Sequence, residues 1–164
     1  MSHEAKTTSR RHVLTAAAAA GAILAVGSKA ALAENEHKPH RVMSNNERVV
    51  RNFISAWSNL DVAELVSYFT EDGVYHNMML EPVSGHENLT AFIGGFLSNW
   101  SETDWEITNV LSEGDTVVTE RIDRTRIGDK RVDLPCAGIF EMRGGKIAVW
   151  RDYFDLATYT SAVS

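Results

Sequence analysis

The chain has 164 residues, 44% hydrophobic and 23% charged, enough for one soluble domain with a real core plus a short extension. Its net charge of −6 disfavours nucleic acid and anionic membrane surfaces as partners. A single cysteine, Cys136, excludes an internal disulfide framework, and the six histidines show no HExxH spacing, so no metal site is expected.

In chain order the first feature is an export signal. Residues 1–33 combine Arg10 and Arg11 with an apolar run from Leu14 to Gly27 and the small-residue exit Ala31-Leu32-Ala33. This layout predicts a secretory signal cleaved before Glu34. Ser9-Arg10-Arg11-His12-Val13-Leu14 resembles the bacterial twin-arginine motif, so a periplasmic or secreted protein is expected. The apolar run falls short of the roughly 18 residues of a membrane span. No membrane contact is therefore expected of the mature form; an uncleaved tether is the alternative. Residues 1–33 hold four basic residues and one acidic, so their loss takes the net charge from −6 to −9. Residues 34–43, polar and carrying Pro39, read as a linker. Residues 44–164 are the folded domain.

Ser44 with Glu47 three residues on is a capping-box pattern, and Val49, Val50, Phe53, Ile54 and Trp57 form one helical stripe behind it. Asp61 with Glu64 repeats the signature before Val62, Leu65, Val66 and Phe69. A turn at Glu71-Asp72-Gly73 is expected to lead into a strand near Val74–Met79. Gly85 precedes a third helix bearing Leu89, Phe92, Ile93, Phe96, Leu97 and Trp100. The pattern then changes to strands at Trp105–Leu111, Thr116–Arg126, Arg131–Met142 and Lys146–Leu156, joined by hairpin-type turns. Helices followed by an antiparallel meander predict an α+β fold. In it, a strongly curved sheet is covered and closed off by the N-terminal helices, which leaves one deep pocket.

Alternation along the strands assigns the polar groups to faces. Val117, Thr119, Arg121, Asp123 and Thr125 share one face, so an Arg and an Asp stand beside valine. Tyr75 and Asn77 share a face on the first strand. On the last, Asp152 lies between Trp150 and Phe154, where a carboxylate is costly unless partnered. Arg121 is the inward cation best placed to partner it. An Asp152–Arg121–Asp123 chain would satisfy the guanidinium fork and let one carboxyl keep a proton while the other stays ionised. Tyr75 and Asn77 could then hold a water. Taken singly, Arg121–Asp123 reads more readily as a surface ion pair and Tyr75 as a core tyrosine; the constellation is the stronger signal.

Together "VYHNM", "TERID" and "GIFEMRGGKIAVWRDYFDL" resemble the limonene-1,2-epoxide hydrolase family of the SnoaL-like, NTF2-like superfamily, over Glu47 to Val163. The resemblance implies an NTF2-like cone with a mixed or antiparallel sheet, and a homodimer. It also implies an enzyme that adds water to a terpene-like or cyclic epoxide to give a vicinal diol, in one step, without cofactor, metal or covalent intermediate. Asp152 then matches the general base, Asp123 the acid, Arg121 the bridge, and Tyr75 and Asn77 the other holders of the water. By facing, Met78, Leu80, Phe96, Trp100, Leu134, Cys136 and Phe154 are the candidate pocket wall. The alternatives are a ketosteroid-isomerase or polyketide-cyclase chemistry on the same fold, and a non-catalytic module that holds a hydrophobic ligand. His76, Arg124 and Arg126 receive no role.

Overall fold

Capping decides where the helices begin. Ser44 Oγ accepts a hydrogen bond from the Glu47 amide at 3.0 Å, which opens α1 (Asn45–Ala56). A 3₁₀ turn (Trp57–Asn59) follows. Asp61 then accepts from the Ala63 and Glu64 amides and starts α2 (Val62–Ser67). Gly85, at φ +80°, turns the chain into α3 (His86–Leu97), a conformation few side chains tolerate. The strands are β1 (Phe69–Asn77), β2 (Val83–Ser84), β3 (Glu102–Glu113), β4 (Thr116–Ile127), β5 (Lys130–Arg143) and β6 (Lys146–Phe154), and α4 (Leu156–Val163) comes last.

This computed structural model describes residues 42–163. The expected export signal over 1–33 and nearly all of the 34–43 linker lie outside the described residues, as does Ser164. Among the described residues no helix is long and apolar enough to cross a membrane.

The described strands form a curved, unclosed sheet in the order β2-β1-β6-β5-β4-β3. The hairpins β3–β4, β4–β5 and β5–β6 are antiparallel, as the turn residues indicate. The β1–β6 pairing is parallel and sets Tyr75 beside Trp150 and Asn77 beside Asp152. The fold is therefore α+β with a mixed sheet. Two local expectations change. Glu71-Asp72-Gly73 is no turn but an irregularity within β1, where the register against β6 shifts between Phe69 and Val74. Gly73 is needed there because a Cβ would lie 2.9 Å from both Phe69 Cβ and Thr70 O. The final strand ends at Phe154, because Asp155 accepts from the Ala157 and Thr158 amides and starts α4.

Inward residues of α1, α2 and α3 pack on those of β1, β4, β5 and β6. Phe53 meets Trp57, Tyr68, Phe69, Phe140 and Trp150 edge to face, and Trp150 lies stacked with Tyr75 at 4.0 Å and Phe140 at 5.6 Å. This aromatic layer fixes β6, and with it Asp152 two residues beyond Trp150.

Candidate active site

The inward face of β4 is buried throughout: Val117, Thr119, Arg121, Asp123 and Thr125 are each at most 6% exposed. Arg121 is fully buried. Its Nε donates to Asp123 Oδ1 at 2.8 Å and its Nη2 to Asp152 Oδ2 at 2.5 Å, so the expected chain of three is formed. Nη1 reaches Thr119 Oγ1 at 3.4 Å and Nη2 reaches Cys136 Sγ at 3.3 Å. The guanidinium carbon sits 4.9 Å from the Trp105 ring centroid and 5.6 Å from that of Trp150.

Gly138 makes room for this. Strand β5 lies between β4 and β6, and Gly138 faces Asp152 across β6 and Thr119 across β4. A Cβ there would collide with Arg121 Nη1 and lie 3.0 Å from Asp152 Oδ1 and Phe140 Cε2. Asp123, Cys136 and Asp152 bring three ligand-capable atoms within 4.8 Å of one another. All three are committed to the N–H groups of Arg121, which supplies the positive charge a metal would otherwise bring.

Burial sets the protonation. It raises the Asp123 carboxyl to about 6, against the pull of Arg121 and with a push from the Asp152 charge. Asp152 is also raised by burial, with Arg121 opposing. For Arg121, burial disfavours the charge, but Asp123 and Asp152 outweigh it and hold the guanidinium protonated. The Tyr75 hydroxyl is pushed well up by burial and by the Asp152 charge, so it remains a donor. Cys136 is likewise raised by burial and stays a thiol.

Asp123, Asp152, Tyr75 and Asn77 all line a cavity of about 200 Å³. Asp152 Oδ1 and Asn77 Oδ1, on neighbouring strands, are buried with no hydrogen-bond partner among the described residues. Of the expected wall, Leu80, Phe96, Trp100, Leu134 and Phe154 line the cavity. Met78 and Cys136 do not. Alternation from Tyr75 and Asn77 puts Met79, not Met78, on the inward face, so the expectation for Met78 names the wrong side of the strand. Leu80 joins the lining because β1 ends at Asn77 and the chain turns there. Cys136 faces inward as expected but lies against Arg121. Trp57, Trp105, Thr125, Val132, Leu156 and Tyr159 complete the lining. Facing alone could have found Thr125, which follows Asp123 at the next inward position.

A SnoaL-like domain model matches residues 50–150, which include four of the five polar site residues, Tyr75, Asn77, Arg121 and Asp123, and stop two residues short of Asp152. The chain belongs to the SnoaL-like family. Within it the chain is 32% identical over 107 residues to the epoxide hydrolase EphG of Mycobacterium tuberculosis, covering 65% of this chain and 71% of that protein. The structure of an M. tuberculosis LEH-like epoxide hydrolase superposes with a TM-score of 0.64 at 28% identity, over 73% of this chain and 90% of the other. A protein of ketosteroid-isomerase-like fold from Catenulispora acidiphila, solved with trimethylamine, also gives 0.64, at 21% identity over 70% and 90% of the two chains. That last likeness is one of fold. This SnoaL-like chain is thus an epoxide-hydrolase-like protein on a fold with wider uses.

Proposed function

We propose that this protein opens a hydrophobic epoxide, terpene-like or cyclic, with water to give a vicinal diol in one step. Asp152 is the general base. One of its oxygens is held by Arg121, and the other, with Asn77 Oδ1 beside it, offers two acceptors for the two protons of one water. Tyr75 donates to that water's oxygen. The remaining lone pair attacks an epoxide carbon as Asp152 takes a proton, and the C–O bond breaks as Asp123 delivers its own to the leaving oxygen. The proton then returns from Asp152 to Asp123, which resets the pair. Arg121 holds both carboxylates and keeps its charge throughout.

The observation that carries this reading is the buried Asp152–Arg121–Asp123 chain opening onto an apolar cavity. An isomerase can also use two carboxyls, one as base and one protonated as oxyanion donor. It needs no water beside the base, however, and the two unpartnered acceptors on Asp152 and Asn77 favour one there. Export by the twin-arginine route and a homodimer belong to the same proposal. The test is to incubate protein starting at Glu34 with terpene, cycloalkene and steroid epoxides and with a ketosteroid. Diol formation supports the reading. Ketone isomerisation, or binding without turnover, would replace it.

A further inference from the structure

Two polar residues of the cavity lining have no part in that reaction, Thr125 and Tyr159. Thr125 stands two residues beyond Asp123 on the same face of β4, about 7 Å along the strand and on the side away from Arg121. It is 5% exposed. Its cross-strand partner on β3 is Thr103, and the two hydroxyl oxygens are 3.0 Å apart.

The direction of that bond can be deduced. Thr103 Oγ1 lies 2.8 Å from the Arg124 carbonyl oxygen, which can only accept. Thr103 spends its one proton there, so the bond between the hydroxyls is donated by Thr125. With its proton committed to Thr103, the Thr125 oxygen offers lone pairs alone. It can take a hydrogen bond from a ligand and cannot give one.

Tyr159 reaches the same end of the cavity. Lys130 Nζ donates to the Val163 carbonyl at 2.7 Å, which ties the last turn of α4 to the start of β5. Tyr159 lies one turn back from Val163, and Val132, the register partner of Thr125, lies two residues in from Lys130. Both steps are about 6–7 Å. Val132 and Thr125, side by side on the sheet, and Tyr159, on the helix tied to that end of β5, line the same cavity.

We infer that Thr125 and Tyr159 form a polar subsite for a hydroxyl group of the substrate, on a carbon close to the epoxide and on the side away from Arg121. The substrate class is then a hydroxylated hydrophobic epoxide. Thr125 accepts from that hydroxyl and Tyr159 closes over it. Val132, Leu134 and Leu156, also in the lining, are apolar. This inference rests on the epoxide-hydrolase reading above.

The experiment compares 2,3-epoxycyclohexan-1-ol with cyclohexene oxide. Wild type should prefer the hydroxylated ring by at least about tenfold in kcat/KM. Thr125→Val should bring that ratio to within about twofold, with Tyr159→Phe lowering it in part and Thr125→Ser preserving it. A ratio near one in wild type, or one unmoved by Thr125→Val, would overturn the subsite. Calorimetric binding of cyclohexane-1,2,3-triol against cyclohexane-1,2-diol separates this from the parent reading. If neither epoxide is opened but triol preference depends on Thr125, the subsite stands and the epoxide chemistry fails. Absence of a Thr125-dependent preference in binding overturns the subsite whatever the turnover.

Discussion

The two faces of β4 carry the same chemistry in opposite surroundings. Inward, Arg121 is fully buried between Asp123 and Asp152. Outward, Arg124 pairs with Glu106 at 2.7 Å and Arg126 with Glu102 at 3.3 Å, all four exposed or half-exposed. The outer pairs hold strands β3 and β4 together in water, where such contacts contribute about 0–1 kcal/mol. The inner set gives up several kcal/mol of hydration per charge, so it is a poor device for stability alone. What the inner face gains is control of protons. Burial keeps one carboxyl near neutrality while the guanidinium keeps the other oriented, and no surface pair can do that.

Breaking the inner set should cost most. Asp152→Asn should fold and lose roughly 10²–10⁴ in kcat, since an amide cannot take the water's proton. Steady-state rates with a hydrolysed epoxide check this. Arg121→Met should destabilise by about 3–5 kcal/mol in urea unfolding at pH 7, because two buried carboxylates lose their cation. The loss should shrink at pH 5, where those carboxyls can be neutral. Gly138→Ala should cost about 1–3 kcal/mol and lower kcat more than it raises KM, because Arg121 cannot retreat from the new methyl without releasing a carboxylate.

Titration sharpens the contrast. Asp123 must hold a proton to act as the acid, and its carboxyl is raised to about 6. Activity should therefore fall as pH rises through about 6, and fall again at lower pH as the base becomes protonated, with the pair titrating as a unit. A profile flat from pH 5 to 8 would remove Asp123 from that role. The smallest effect is expected outside: Arg124→Ala should change stability by less than about 1 kcal/mol and leave the pH profile in place.

Much of this was legible in the residues. Alternation along "VVTERIDRTR" assigns all five inward positions of β4, and the Ser44 and Asp61 caps fix two helix starts. Local rules reach that far. The parallel β1–β6 pairing is joined by no hairpin, so no turn residue announces it, yet it sets Asn77 beside Asp152. Helix α4 was hidden because "WRDYFD" alternates up to the residue that caps it, and with α4 the contributions of Leu156 and Tyr159 were hidden too. Gly138 reads as a weak point in a strand until the Arg121 side chain is seen to lie against it. Trp57 and Trp105 stack at 4.2 Å, and their apolar spacing is that of core residues, although both line the cavity.

The most direct test of the central claim is a single turnover in ¹⁸O-water, with enzyme in excess over an epoxide that it opens. Asp152 and Asp123 are both committed to Arg121, so water itself should attack. The account predicts label in the diol from the first turnover and none in either aspartate. Unlabelled diol, with the label found in a peptide containing Asp152 or Asp123, would show an ester intermediate and contradict it.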